Sequence, residues 1–192
     1  MKNLVCFLEE PSAKEMLQGI LPRLLPGYNT TWCYIPIVFE GKQDLEKQLV
    51  RKLRGWQKAD SVFLILRDQD SADCKAVKKQ LHELCGEAGR PGALVRIACH
   101  ELESFYFGDL PAVERGLEVK NIACLQQKAK YRTPDRIVNP CDELEKLTHG
   151  VYQQISGSRR IAPLLSLENN FSHSFNVLLS GIRGILGGSQ GS

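Results

Sequence analysis

The sequence predicts one α/β domain on a mainly parallel sheet, and two observations carry that reading: short apolar runs, and amphipathic stretches between them. Leu4 to Leu8, Val62 to Leu66 and Leu94 to Cys99 are mostly apolar and bounded by polar, Gly or Pro residues, as strands buried on both faces are. Between them, Met16, Leu17, Ile20, Leu21, Leu24 and Leu25 share one helical face, as do Leu45, Leu49 and Leu53, and Val77, Leu81 and Leu84. A further strand is expected at Trp32 to Val38, where Pro36 removes a ladder donor and places the strand at a sheet edge or ends it early. The order βαβαβαβ implies a parallel sheet with right-handed crossovers.

Beyond residue 100 the pattern changes. Leu102 to Phe107 is short and aromatic, Pro111 to Leu117 suits a helix, and Lys128 to Pro140 reads as a proline-broken loop. A helix is expected from Asp142 through about Gln154, a break at Ser156-Gly157-Ser158, and helical character again from Ile161 to Leu186. The organisation expected is an α/β core over 1–107, a helical and loop extension packed on it over 108–186, and a flexible tail over 187–192.

With 192 residues, 43% hydrophobic and 24% charged, the chain suffices for one good core. A formal charge of +3 permits contact with phosphate but lacks the footprint of a protein that coats DNA. The first apolar run is shorter than a signal-peptide core, no stretch is long enough to span a bilayer, and no membrane partner is expected. Seven cysteines without a CxxC pair suggest neither a disulfide framework nor a zinc site, and read as reduced thiols of a cytoplasmic protein.

The chemical signal follows the apolar runs. Glu9-Glu10 comes after the first, Asp68-Gln69-Asp70 after the second, and His100-Glu101-Leu102-Glu103 after the third. Parallel strands all point one way, so these acids converge at the carboxyl edge, where α/β sheets bind ligands. Carboxylates forced together share protons or hold a cation, and oxygen ligands select Mg²⁺ or Mn²⁺, which polarises phosphoryl oxygens and activates water.

Structural duties compete for some of these groups. Ser12-Ala13-Lys14-Glu15 has the form of a capping box, which would employ Glu15 at a helix start. Asp70 or Ser71 suits the cap of the third helix, whereas Asp68 precedes any helix start. His100-Glu101 is not a zinc-protease HExxH, because position 104 is serine, and a lone His100 is more often structural than a ligand. No P-loop, Gly-x-Ser-x-Gly or Gly-x-Gly-x-x-Gly occurs. Lys128, Lys130, Arg132 and Arg136, with Tyr131 among them, and Arg159 with Arg160, are candidates for nucleic-acid phosphate or for a solvated basic surface.

Leu8-Glu9-Glu10-Pro11-Ser12-Ala13-Lys14-Glu15 resembles the opening of a Toprim domain, and Asp68-Gln69-Asp70 resembles its Asp-x-Asp. More narrowly, Phe63 to Ser71, Arg96 to Phe107, Thr133 to Ile137 and Tyr152 to Ala162 are similar to the bacterial family catalogued as domain of unknown function 4276. The resemblance implies a Toprim-like, Rossmann-like fold related to the overcoming-lysogenization-defect nucleases. It further implies Glu9 as general acid/base or metal ligand and Asp68 and Asp70 as metal ligands, and the convergence of the acids adds Glu101 or Glu103 as further ligands.

Glu10 stands where the Toprim pattern usually has glycine, and Gln154 where a basic residue is expected. The first departure implies an altered loop, an added metal ligand or an inactive site. The function implied is a metal-dependent nuclease, with an ATPase partner in anti-phage defence inferred from resemblance alone. The alternatives are a non-catalytic interaction or nucleic-acid-sensing module and, last, a phosphoacceptor receiver-like domain, which would need a lysine where His100 stands.

Overall fold

The computed structural model describes residues 1–25 and 27–187. Four parallel strands, β1 (Lys2–Leu8), β2 (Trp32–Val38), β3 (Ser61–Asp68) and β4 (Leu94–Ala98), form one sheet in the order β2-β1-β3-β4. The expected alternating α/β core with a helical C-terminal extension is what the chain adopts. β2 lies at an edge, where Pro36 costs no central ladder bond.

Helices α1 (Pro11–Leu24), α2 (Lys42–Arg54) and α3 (Cys74–Glu87) make the crossovers. Side chains alternate across the sheet, so Val5, Phe7, Phe63 and Ile65 pack with Leu45, Leu49 and Leu53 of α2 and Val77 and Leu81 of α3. Leu4, Cys6, Leu8, Leu64 and Leu66 face the opposite layer, formed by α1 and the C-terminal helices α4 (Ser104–Phe107), α5 (Leu110–Leu117), α6 (Pro140–Leu147), α7 (Gln154–Ile161) and α8 (His173–Gly187). Phe105, Tyr106, Tyr152, Ile161, Phe175 and Ile182 belong to one apolar cluster with β1 and β3.

The connection from β1 runs to β2 on one side, while β3 lies on the other. The topological switch point therefore falls between the carboxyl ends of β1 and β3. Glu9 and Glu10 leave β1 there, and Asp68 closes β3.

Two details of the C-terminal half differ from expectation. The helix expected to run from Asp142 to Gln154 ends at Leu147, because the chain turns through His149 (φ 53°) and Gly150 (φ 80°), both left-handed. Ser156-Gly157-Ser158, expected as the break, lies inside α7 instead. Gly157 serves contact rather than flexibility: a Cβ there would sit 2.5 Å from Tyr152 Cδ2. The helix expected from Ile161 onward is interrupted before α8, whose start is held by Asp135; Ser172 Oγ and the Ser174 N–H donate to that carboxylate at 2.6 and 2.7 Å. Of the expected tail, residues 188–192 lie outside the described residues.

Two glycine substitutions are expected to shift stability in opposite directions. Gly157→Ala gains helix propensity but drives a methyl into the buried Tyr152 ring, and is expected to lower unfolding free energy by about 1–3 kcal/mol. Gly184→Ala, in α8 with nothing within 4 Å of the new methyl, is expected to raise it by roughly 0.5–1 kcal/mol. Urea unfolding midpoints of the two variants check both signs.

Candidate functional site

The carboxyl edge gathers the acids on two sides of the sheet. On the side of α1 and α4, Asp68 is 9% exposed and Glu103 1% exposed. Burial raises the proton affinity of Asp68 well above the carboxylate range, and Glu10, Glu103 and Glu9 reinforce the shift; the Leu102 N–H opposes it. Burial likewise pushes Glu103 up to about 7, against the pull of the Tyr152 hydroxyl, which donates to Glu103 Oε1 at 2.6 Å. Glu10 also takes its proton more readily, through burial and the nearby Glu101 and Asp70, although the Ser12 hydroxyl donates to its carboxylate.

Glu10 is thus the carboxylate that acts on both Asp68 and Glu103. Beside these three, the fully buried Tyr106 hydroxyl has no hydrogen-bond partner. Ser158 lies near it, but its own hydroxyl donates to the Gln154 carbonyl.

On the side of α2 and α3, Glu9 Oε2 accepts from the Asp68 N–H at 3.1 Å and lies 3.8 Å from Arg67 Nε. Burial raises the proton affinity of Glu9, and Asp70 adds to the effect. Arg67 and Asp68 are consecutive on β3, so alternation sends them to opposite faces. Arg67 Nη1 reaches Glu46 Oε1 at 3.4 Å, and its buried Nε makes no hydrogen bond. Lys42, the first residue of α2, places Nζ 2.8 Å from Asp70 Oδ2.

The loops after β3 and β4 interlock. The Gln69 N–H donates to the Ala98 carbonyl, the Asp70 N–H to that of His100, and the His100 N–H to Gln69 Oε1. Asp70 (φ 56°) and His100 (φ 57°) are both left-handed, a conformation Asp and His tolerate better than most residues and one concentrated at binding sites.

Expectations for single residues divide accordingly. Glu9, Glu10, Asp68, Asp70, Glu101 and Glu103 all meet at this edge. Glu101 also has a structural duty, since Oε2 accepts from the Cys141 N–H at the start of α6 at 2.7 Å. Asp70 and Ser71 do not cap α3; Asp73 does, accepting from the Ala76 N–H. The capping box is absent as well. Pro11, with φ preset and no N–H, takes the first helical position, Glu10 becomes the N-cap residue, and Ser12 falls inside the helix. Glu15 instead accepts from Arg159 Nε at 2.8 Å, which lowers its proton affinity and removes it from the acid group. His100 lines the cleft and holds backbone.

Two clefts open beside the acids. One, of about 340 Å³, is lined by Asp70, Ser71, His100, Glu101, Val138 and Asn139. The other, of about 450 Å³, is lined on its basic side by Lys130, Arg136 and Lys146, and shares Val138 and Asn139 with the first. Of the basic candidates, Lys130 and Arg136 therefore adjoin the acidic edge, while Lys128 and Arg132 are exposed on the same loop. Lys130 is paired with Glu143. Arg159 and Arg160 pair with Glu15 and Glu118 and line neither cleft. Tyr131 is not free to stack on a base, because its ring packs on Phe107 with centroids 5.5 Å apart and planes 2° apart.

Lys42 and Arg67 escape the motif reading. Arg67 left a signal, a charge closing an apolar run; Lys42 left none, because its partner is 28 residues away.

Among the described residues, no group of three or more His, Cys, Asp or Glu side chains is arranged so that it could hold a metal ion. The donors are nevertheless of the right kind. They are carboxylate oxygens, one or two of which suffice for magnesium when water and substrate fill the remaining positions.

Fold and site together define a parallel α/β protein with a crowded carboxylate cluster at its topological switch point and a cleft of mixed charge nearby. The chain belongs to the family described as Domain of unknown function (DUF4276), whose model matches residues 8–183. No curated protein and no solved structure matches it. No helix among the described residues is long and apolar enough to cross a membrane.

The raised proton affinity of Glu103 has a defined sign in metal-free buffer. The folded state holds a proton that the unfolded chain releases between about pH 4.5 and 7. This stabilisation is complete at the acid end of that window and is lost as pH rises through it, with a slope of at most about 1.4 kcal/mol per pH unit. Glu9, Glu10 and Asp68 act with the same sign. Glu103→Gln is expected to flatten the profile, as followed by denaturant unfolding in chelator from pH 5 to 8; an unchanged slope would contradict the assignment.

Proposed function

We propose that this protein is a Toprim-like, Mg²⁺- or Mn²⁺-dependent phosphodiester hydrolase acting on nucleic acid. The observation that carries the reading is the meeting of the buried Asp68 and Glu103 with the half-buried Glu10, each with raised proton affinity, at the edge where Asp70 and Glu101 line a cleft whose neighbour carries Lys130, Arg136 and Lys146 together with Asp142 and Glu143. Acids kept so close without a cation among them are poised to accept one.

In this reading one or two carboxylates of the set Glu10, Asp68 and Asp70 would hold the metal, with water and substrate at its remaining positions and Glu101 and Glu103 alongside. When bound, the metal would supply Lewis-acid activation of a phosphoryl oxygen and of water. Glu9, fixed through the Asp68 N–H and with its proton affinity raised by burial, serves as general base. Lys130, Arg136 and Lys146 would hold backbone phosphate beyond the reacting bond. The departure at Glu10 then adds a ligand rather than marking a lost site.

All seven cysteines are free, which supports a reducing, cytoplasmic setting. An ATPase partner and a role in phage defence are supported by the sequence resemblance alone.

The test is Mn²⁺ calorimetry on the wild type, Asp68→Ala with Asp70→Ala, and Glu10→Gln, with cleavage of supercoiled plasmid and of single-stranded DNA and RNA assayed alongside. The reading expects measurable binding by the wild type and a loss of roughly 100-fold or more in the double variant, with cleavage lost in parallel. It expects weakened binding in Glu10→Gln. A folded wild type that neither binds Mn²⁺ nor cleaves would leave a non-catalytic docking or sensing module as the better reading.

A further inference from the structure

Lys42 has no role in the acid chemistry so far described, yet its ammonium occupies a carboxylate of the site. Nζ stands 2.8 Å from Asp70 Oδ2. Helix stability does not explain a lysine at this position. It opens α2, where the macrodipole favours anions and disfavours a cation, and the preceding Gly41 (φ 96°) offers no side-chain cap.

The pair is also easily opened. The two side chains are 45% and 34% exposed, so the contact contributes little and is screened by solvent. Alongside it, Arg67 is 6% exposed, and its Nε faces Glu9 at 3.8 Å without a hydrogen bond. This half of the crevice thus holds one cation on a weak tether and one buried donor short of an acceptor.

Resting on the metal reading of the site, we propose that Lys42 is the resident counter-cation of Asp70: a divalent metal displaces it, and the released ammonium takes a phosphate oxygen of the substrate. Lys42 then competes with metal but assists nucleic acid. A residue that merely supported the fold would not act with opposite signs on the two ligands.

The experiment compares the wild type, Lys42→Met and Lys42→Arg. Mn²⁺ affinity is read by calorimetry without substrate, and affinity for a fluorescein-labelled single-stranded oligonucleotide by anisotropy in Ca²⁺. Lys42 is exposed, so the methionine variant is expected to fold, which unfolding curves verify. Lys42→Met is expected to bind Mn²⁺ about two- to fivefold more tightly, the range of an exposed ion pair. The same variant should bind the oligonucleotide more weakly by a comparable factor, with Lys42→Arg close to wild type in both. Unchanged or weaker Mn²⁺ binding by Lys42→Met, with a wild type that does bind Mn²⁺, overturns the exchange and leaves the metal reading intact. Tighter Mn²⁺ binding without loss of oligonucleotide affinity overturns the second half, the transfer to phosphate. Absence of Mn²⁺ binding in all three proteins overturns the metal reading and this inference with it.

Discussion

Repulsion among carboxylates crowded at the carboxyl edge of the sheet, Asp68 and Glu103 buried and Glu9 and Glu10 half-buried, is the constraint around which the rest of this protein is arranged. Ionised acids removed from water are costly unless they are paired, hydrogen-bonded or protonated. Here each acid is met by a donor from a different part of the chain: Tyr152 for Glu103, Ser12 for Glu10, the Cys141 N–H for Glu101, the Asp68 N–H and Arg67 for Glu9, and Lys42 for Asp70. Elements distant in sequence are thus fastened to one edge, and the C-terminal helices join the site instead of merely covering the sheet.

The sheet decides how the acids are shared out. In β3 the residues Arg67 and Asp68 point to opposite faces, which gives the α2–α3 face a buried guanidinium and the α1–α4 face a buried carboxylate. Glu9 and Glu10 divide in part: Arg67 acts on Glu9 and Ser12 and Glu101 on Glu10, while Asp70 acts on both. The crevice has two chemically different halves, one nearly all acid and one with acids and cations interleaved.

Much of this was legible in the residues themselves. Strands buried on both faces write continuous apolar runs, so β1, β3 and β4 and the acids that follow them could be read directly, and parallel strands bring those acids to one edge. Local signals that depend on tertiary partners were not legible. Ser12 to Glu15 has the letters of a capping box, but Pro11 moves the helix start and Arg159 captures Glu15. Gly157 reads as a helix breaker because nothing nearby reveals the Tyr152 ring against it. Tyr131 reads as a free aromatic among basic residues until Phe107 is placed beneath it. Which acid would be central was likewise hidden, since Glu10 gains its place only when Asp68 and Glu103 are folded around it.

Stability alone gives no reason for so many acids in one crevice. Apolar residues of similar size would fill the space around Asp68 and Glu103 at less cost, because buried ionic groups are often neutral or worse for stability. The polar partners satisfy the cluster only in part: Tyr106 keeps a buried hydroxyl without a partner and Arg67 a buried Nε without one, each beside a carboxylate. Orphaned groups of this kind are uncommon in native interiors and call for a ligand or water that completes them. Both adjoin the carboxylates at the switch point, where sheets of this topology bind ligands. The cluster comes at a cost to the fold, and the cation and phosphate binding proposed above would account for its acids, its orphaned donors and its position together.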